Sequence, residues 1–187
     1  AFVYPLCYKE VEILDMGPLR FSARMVFAPV QIGQDKDVVE TRVITLDKGT
    51  HLNKCEVTYA NLSEARKVAA GIAVHKSMPD AYVMNKKLGY VAYADAMDHP
   101  EAMNGLTYIA CLFPEGLKSV EYVPMAKEEA GAVGHVVGVS NYEPGDTFTY
   151  YFGSAWSKYD MPDMAVWQEN VERYSRQLKT PLAVTLK

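Results

Sequence analysis

Three groups of side chains in this sequence have the types and spacing to do chemistry. His75 closes the apolar run Val68–Val74, and His135 follows Gly134 at the head of a second apolar stretch. An imidazole titrates near neutrality, so at a strand end beside a loop it can take or give a proton. The alternative at each position is a hydrogen-bonded structural histidine. His51, beside a tight turn, and His99, before Pro100, read as surface residues. The second group is the segment GSAWSKYD, Gly153 to Asp160, together with Tyr151 just before it. Trp156 and Tyr151 offer flat apolar faces with a polar edge, which suits the C–H face of a sugar ring. Lys158 can hold a carboxylate as a mobile point charge. Against this, Trp156 can simply pack beneath the helix that follows it. The third group is Arg20, Arg24, Glu40 and Arg42, expected to form a cross-strand charge ladder on one polar sheet face. Such a ladder is either a solvated face or an arginine-rich groove in which Arg42 recognises a carboxylate.

The motif search is otherwise negative. There is no nucleotide-binding glycine loop, zinc-protease HExxH, paired CxxC or esterase elbow, and the sequence gives no cofactor. Cys7, Cys55 and Cys111 lack metal-ligand spacing, and Cys55 and Cys111 fall inside apolar strand patterns as small hydrophobes. No ligand cluster with metal spacing is visible, so the sequence assigns no metal ligands. Asp95, Asp98 and Glu101 are expected in one loop, but the separation that defines a glycosidase carboxylate pair cannot be read from spacing. The net charge of −4 with no block of like charge argues against a nucleic-acid partner. No apolar stretch approaches the roughly 20 residues of a membrane span.

The elements that must position these groups are mostly strands. In Leu19–Phe27 the residues Leu19, Phe21, Ala23, Met25 and Phe27 share one face, and Arg20, Ser22 and Arg24 the other. Glu10–Met16 is its expected hairpin partner across Gly17-Pro18. Asp37–Leu46 turns at Asp47–Thr50 into Leu52–Tyr59, giving an antiparallel sheet with one wet face. Further strands are expected at Val68–His75, Tyr82–Ala94, Leu106–Phe113, Val133–Ser140 and Thr147–Gly153, with Pro114–Gly131 a loop. One helix is expected, capped by Asp163 with Trp167, Val171, Tyr174 and Leu178 on its apolar stripe. Thr180-Pro181 ends it before a last strand over Leu182–Leu186. The expected fold is mainly β, an antiparallel sandwich with one C-terminal helix. The 187 residues are read as a single domain.

Several stretches together resemble a known family: GPLRFSARMVFAPV, ETRVITLDKGTHLNKCEVTY, KVAAGIAVHK, GDTFTYYFGSAWSKYDMP and AVWQENVERYSRQLKTPLAVTL. The chain resembles bacterial domain-of-unknown-function family 4861, whose members are encoded in polysaccharide-utilisation clusters. The resemblance covers essentially the whole chain and implies a mutarotase-like, supersandwich type of fold. It implies a match to the C-terminal half of a longer protein, which fits the opening AFVYPLCYKE in mid-element. It also implies a periplasmic or secreted location and an oligosaccharide substrate carrying uronic acids, processed by a hydrolase, lyase or dehydratase. For such a reaction the residues themselves offer His75 or His135 as acid or base, Lys158 or Arg42 as carboxylate partner, and Trp156 or Tyr151 as stacking platform. A non-catalytic carbohydrate-binding or scaffold domain stands as the alternative, and a sugar mutarotase as a third. A raw sheet edge on a half-protein would also favour self-association into a homo-oligomer.

Overall fold

The computed structural model describes residues 2–96, 103–183 and 185. The fold is mainly β, its sheets are antiparallel, and one helix closes the chain, as the strand and helix patterns predict. The chain divides into two compact units, Ala1–Val68 with Ser140–Phe152, and Ala69–Val139 with Gly153–Lys187.

In the first unit, β1 (Tyr8–Met16), β2 (Arg20–Phe27), β4 (Asp35–Asp47) and β5 (Leu52–Ala60) pair in that order, with the short β3 (Val30–Ile32) on β4. Gly49, at φ 84°, makes the tight turn between β4 and β5. The first residues of β12 (Phe148–Trp156) lie beside β5, where Asn53 Nδ2 donates to Phe152 O at 3.3 Å. Register corrects one expectation. Met25 faces Arg42 across β2 and β4, while Arg24 faces Val43. Side chains alternate with a period of two, so Arg24 and Arg42 stand on opposite faces and no four-member ladder forms. Arg20 instead clamps Asp47 through two bonds, of 2.6 and 2.9 Å, and Arg24 pairs with Glu12 at 2.7 Å. The face carrying Arg42 holds the buried side chains Ala23, Phe27, Val38, Cys55 and Val57.

The second unit is layered. Its central strands β7 (Tyr82–Asn85), β8 (Tyr90–Asp95) and β9 (Thr107–Leu112) pair in sequence, with the end of β12 beside β9. One face takes the helix α1 (Met164–Lys179). Tyr90 donates to Glu172 at 3.0 Å, and the fully buried Trp167 donates from Nε1 to Ile109 O at 3.4 Å. The other face meets the sheet formed by β10 (Ser119–Glu129), β11 (Ala132–Tyr142) and β6 (Arg66–His75). There Tyr82 stacks on Tyr122 with centroids 5.4 Å apart, and Phe113 fills the space left by the missing Cβ of Gly138. Asp163 caps α1 as expected, accepting from the Val166 N–H at 2.9 Å. Trp167 and Val171 are buried as predicted, with Ser175 as the third buried helix residue.

Three element expectations are corrected. The stretch 114–131 is not all loop, because β10 occupies Ser119–Glu129. Pro124 is tolerated there since β10 is an edge strand of its sheet. Tyr82–Ala94 splits at a turn where Gly89, at φ 76°, donates to Asn85 O at 2.8 Å. Residues 181–183 and 185 form no strand, and 184 and 186–187 lie outside the described residues.

Candidate functional site

In the second unit, β6 delivers His75 to its own end, where the Lys76 N–H donates to Gly131 O at 2.9 Å. Tyr93 on β8 fixes the backbone there. Its phenol accepts from the His75 N–H at 3.0 Å and donates to His75 O at 3.4 Å. Two residues along the same strand, Asp95 presents Oδ2 to His75 Nδ1 at 2.8 Å. Asp95 is buried, whereas the His75 side chain is 31% exposed. Asp95 therefore closes β8 as a structured partner of His75 and is not a loop residue; Asp98, His99 and Glu101 lie outside the described residues. Lys76 next door pairs with Glu128 at 2.7 Å. His135 sits on β11, in the same sheet as β6, half-buried and opposite Val123 on β10. The side chain that meets His75 is thus Asp95.

Trp156 and Lys158 act together in a different way. Trp156 Nε1 donates to Asn104 O at 2.7 Å, and Lys158 Nζ donates to Met103 O. They tie the end of β12 to the segment before β9. Trp156 is 45% exposed, whereas the fully buried Trp167 is the tryptophan that bonds to the sheet under the helix. Tyr151 belongs to the first unit and is half-buried on β12, on the strand face opposite Tyr150.

Arg42, also in the first unit, has the most elaborated surroundings. Its Nε donates to Glu40 Oε1 at 2.5 Å, and its guanidinium carbon lies 4.9 Å from the centroid of Phe27. Glu40 is 6% exposed and also accepts from the Tyr59 phenol. Tyr59 packs edge-on against Tyr142 at 5.1 Å, and its N–H donates to the Tyr142 phenol at 3.1 Å. Glu40 and Arg42 share a face of β4 by alternation, and Tyr59 pairs with Glu40 across β5. Burial opposes the Arg42 charge, but Glu40 first and Tyr150 next outweigh it, and its pKa ends raised. Burial pushes the Tyr59 phenol up, and Glu40 adds to the rise. Burial likewise raises the Cys55 thiol, despite a hydrogen bond from Tyr150.

The arrangement around Arg42 is of a kind that can hold a planar anion. Nε is committed to Glu40, while the Arg42 side chain is 30% exposed and its two terminal nitrogens have no partner among the described residues. A planar guanidinium held at one edge and stacked on one face presents its remaining donors to a carboxylate in a fixed geometry. The sequence pattern pairs Glu40 with Arg42, as the structure does, but it adds Arg20 and Arg24 from the other face and omits Tyr59, Cys55 and Phe27. The signal for them is register, which only pairing supplies. Among the described residues no three His, Cys, Asp or Glu side chains gather closely enough to hold a metal ion. No helix among those residues is long and apolar enough to cross a membrane.

The family model described as "Domain of unknown function (DUF4861)" matches residues 1–184, and the chain belongs to that family. "Uncharacterized protein P7" of Formosa agariphila is 23% identical over 181 residues, spanning 96% of this chain. The chain covers 42% of that relative's length, so it spans less than half of it. Among solved structures, "Crystal Structure of Heparinase III" aligns over 78% of this chain and 21% of its own, at 11% identity and a TM-score of 0.43. That likeness is too distant to carry chemistry across.

Proposed function

Taking that family membership as the premise, we propose that the protein acts on acidic oligosaccharides, with Arg42 receiving the carboxylate of a uronic acid residue. The observation that carries this reading is the guanidinium fixed by the nearly buried Glu40 and stacked on Phe27, with terminal nitrogens that have no partner among the described residues. A charge this well positioned is suited to a planar anion. Tyr151 in the first unit, and Trp156 in the second, are proposed as stacking surfaces for sugar rings, since both residues are partly exposed. His75, His135 and Lys158 supply the titratable groups for a hydrolase, lyase or dehydratase. The resemblance to polysaccharide-utilisation proteins supports a periplasmic or secreted location. The nine-residue edge strand β1, exposed along its length, supports self-association.

A second reading, a non-catalytic binding module, is favoured by one observation. The phenol and thiol beside Arg42 are both shifted upward, so both are neutral near pH 7 and neither is an ionised base or nucleophile. The two readings separate in one assay. The protein is incubated with uronate-containing oligosaccharides, saturated and unsaturated, and the unsaturated-uronate absorbance and product masses are followed. A catalyst gives new products that disappear with His75→Ala. A binding module gives none, but still shows carboxylate-dependent line broadening of the oligosaccharide signals. The absence of both products and binding would overturn the proposal.

A further inference from the structure

We propose that Asp95 is a positioning residue that holds His75 as the Nδ1–H tautomer. In this way it makes Nε2 the proton-accepting atom of a proton-transfer centre in the second unit. This centre does not depend on the carboxylate reading of Arg42. The argument begins with what fixes the ring. The Tyr93 phenol takes the His75 N–H and returns a bond to its carbonyl, so the backbone that carries the imidazole is pinned on both sides. Asp95, buried at the end of the same strand as Tyr93, sits 2.8 Å from Nδ1. An ionised carboxylate is an acceptor only, so the ring nitrogen facing it must carry the proton. In the neutral ring the other nitrogen, Nε2, then holds the lone pair.

Nε2 has no partner among the described residues, and the side chain is 31% exposed. The ring edge next to it is bordered by glycine. A Cβ built on Gly131 would lie 4.0 Å from Cδ2, the carbon bonded to Nε2, and Gly131 sits at φ 80°, where other residues are disfavoured. The charged neighbours Lys76 and Glu128 are committed to each other at 2.7 Å. A buried carboxylate on one nitrogen and an open second nitrogen form the orienting half of a general-base arrangement.

The ligand class follows from what such a nitrogen can do. It accepts the proton of a hydroxyl or of water as the oxygen forms a bond to carbon. The imidazolium so formed is stabilised by Asp95, and the proton returns to the oxygen of the bond that breaks. No oxidant or further group is needed. Polyhydroxylated ligands, in which both the attacking and the departing atoms are oxygens, fit that cycle.

The test is nitrogen NMR of the protein with labelled histidine, His75 being assigned through a His75→Gln variant. At alkaline pH the wild type is expected to show a protonated Nδ1 and an unprotonated Nε2. Asp95→Asn should shift this toward the Nε2–H form that free imidazole prefers, and Asp95→Glu should restore the wild-type pattern. Carbethoxylation of His75 by diethyl pyrocarbonate, a probe of the Nε2 lone pair, should slow several-fold in Asp95→Asn. The wild-type spectrum needs no variant to fold. An Nε2–H tautomer in it would overturn the proposal, as would an unchanged tautomer and an unchanged modification rate in a folded Asp95→Asn.

Discussion

Removing the Arg42 charge should cost more stability than removing the charge of its partner Glu40, and the asymmetry can be worked out from burial. Glu40 is 6% exposed, so Arg42→Met leaves a carboxylate that water barely reaches and that keeps the Tyr59 phenol as a partner. Stranding one member of a buried pair costs about 3–5 kcal/mol, and the remaining phenol places this case near the lower end, about 3 kcal/mol. Glu40→Gln strands a guanidinium whose side chain is 30% exposed and can turn toward solvent. That loss should be about 1–2 kcal/mol. The double variant has no stranded charge, so it should lose less than the two single losses combined, with a coupling of about 2 kcal/mol. In a chain of this size about 1 kcal/mol moves the melting temperature by about 2–4 °C, so Arg42→Met should melt about 6–12 °C lower. Urea titrations of the four proteins, followed by far-ultraviolet dichroism and tryptophan emission, give the cycle. Additive single variants, or an Arg42→Met change within about 0.5 kcal/mol of zero, would refute the reasoning.

Other outcomes follow from the same structure. Trp167→Ala, at a fully buried position between α1 and β9, should cost about 3–5 kcal/mol in urea unfolding. Gly71→Ala would bring a Cβ to 2.2 Å from Val136 O, in backbone that cannot yield cheaply, and should lower stability by about 1–3 kcal/mol or more. The carboxyls of Glu172, Asp35 and Asp47 are held below their usual range by bonds from Tyr90, Ser63 and Arg20 respectively. A depressed folded pKa adds stability above the unfolded pKa that is lost as pH falls through the folded one. Melting temperature should therefore decline below about pH 4.5, the ordinary glutamate value, and Tyr90→Phe should reduce that decline by removing the main support of Glu172.

How far the sequence reached depends on what each feature rests on. The helix was legible because Asp163, Trp167 and Val171 carry local signals, a cap and a 3.6-residue period, and all three act as predicted. The strands β2, β4 and β5 were legible through alternation. β10 was not, since Pro124 and the charged run Lys127–Glu129 read as loop, and an edge strand tolerates both. The same limit governs the sites. His75 was marked by its place at a strand end, but its partner Asp95 is 20 residues away and meets it only through packing of β8 against β6. Arg42 was marked by its type, yet it was grouped with Arg20 and Arg24, because which face it occupies depends on a register that its own strand does not encode. Phe27, Tyr59 and Cys55 join it for the same reason and gave no sign of doing so in the chain.

The central claim, that Arg42 receives a sugar carboxylate, is tested most directly by calorimetric titration with a glucuronate-containing disaccharide and with its methyl ester. The wild type should bind the free acid and lose at least ten-fold in affinity for the ester, about 1.4 kcal/mol. Arg42→Lys, which keeps the charge but not the planar fork, should narrow that preference, and Arg42→Met should abolish it in a protein still folded by dichroism. Equal affinity for acid and ester in the wild type, or a preference that survives in Arg42→Met, would contradict the account.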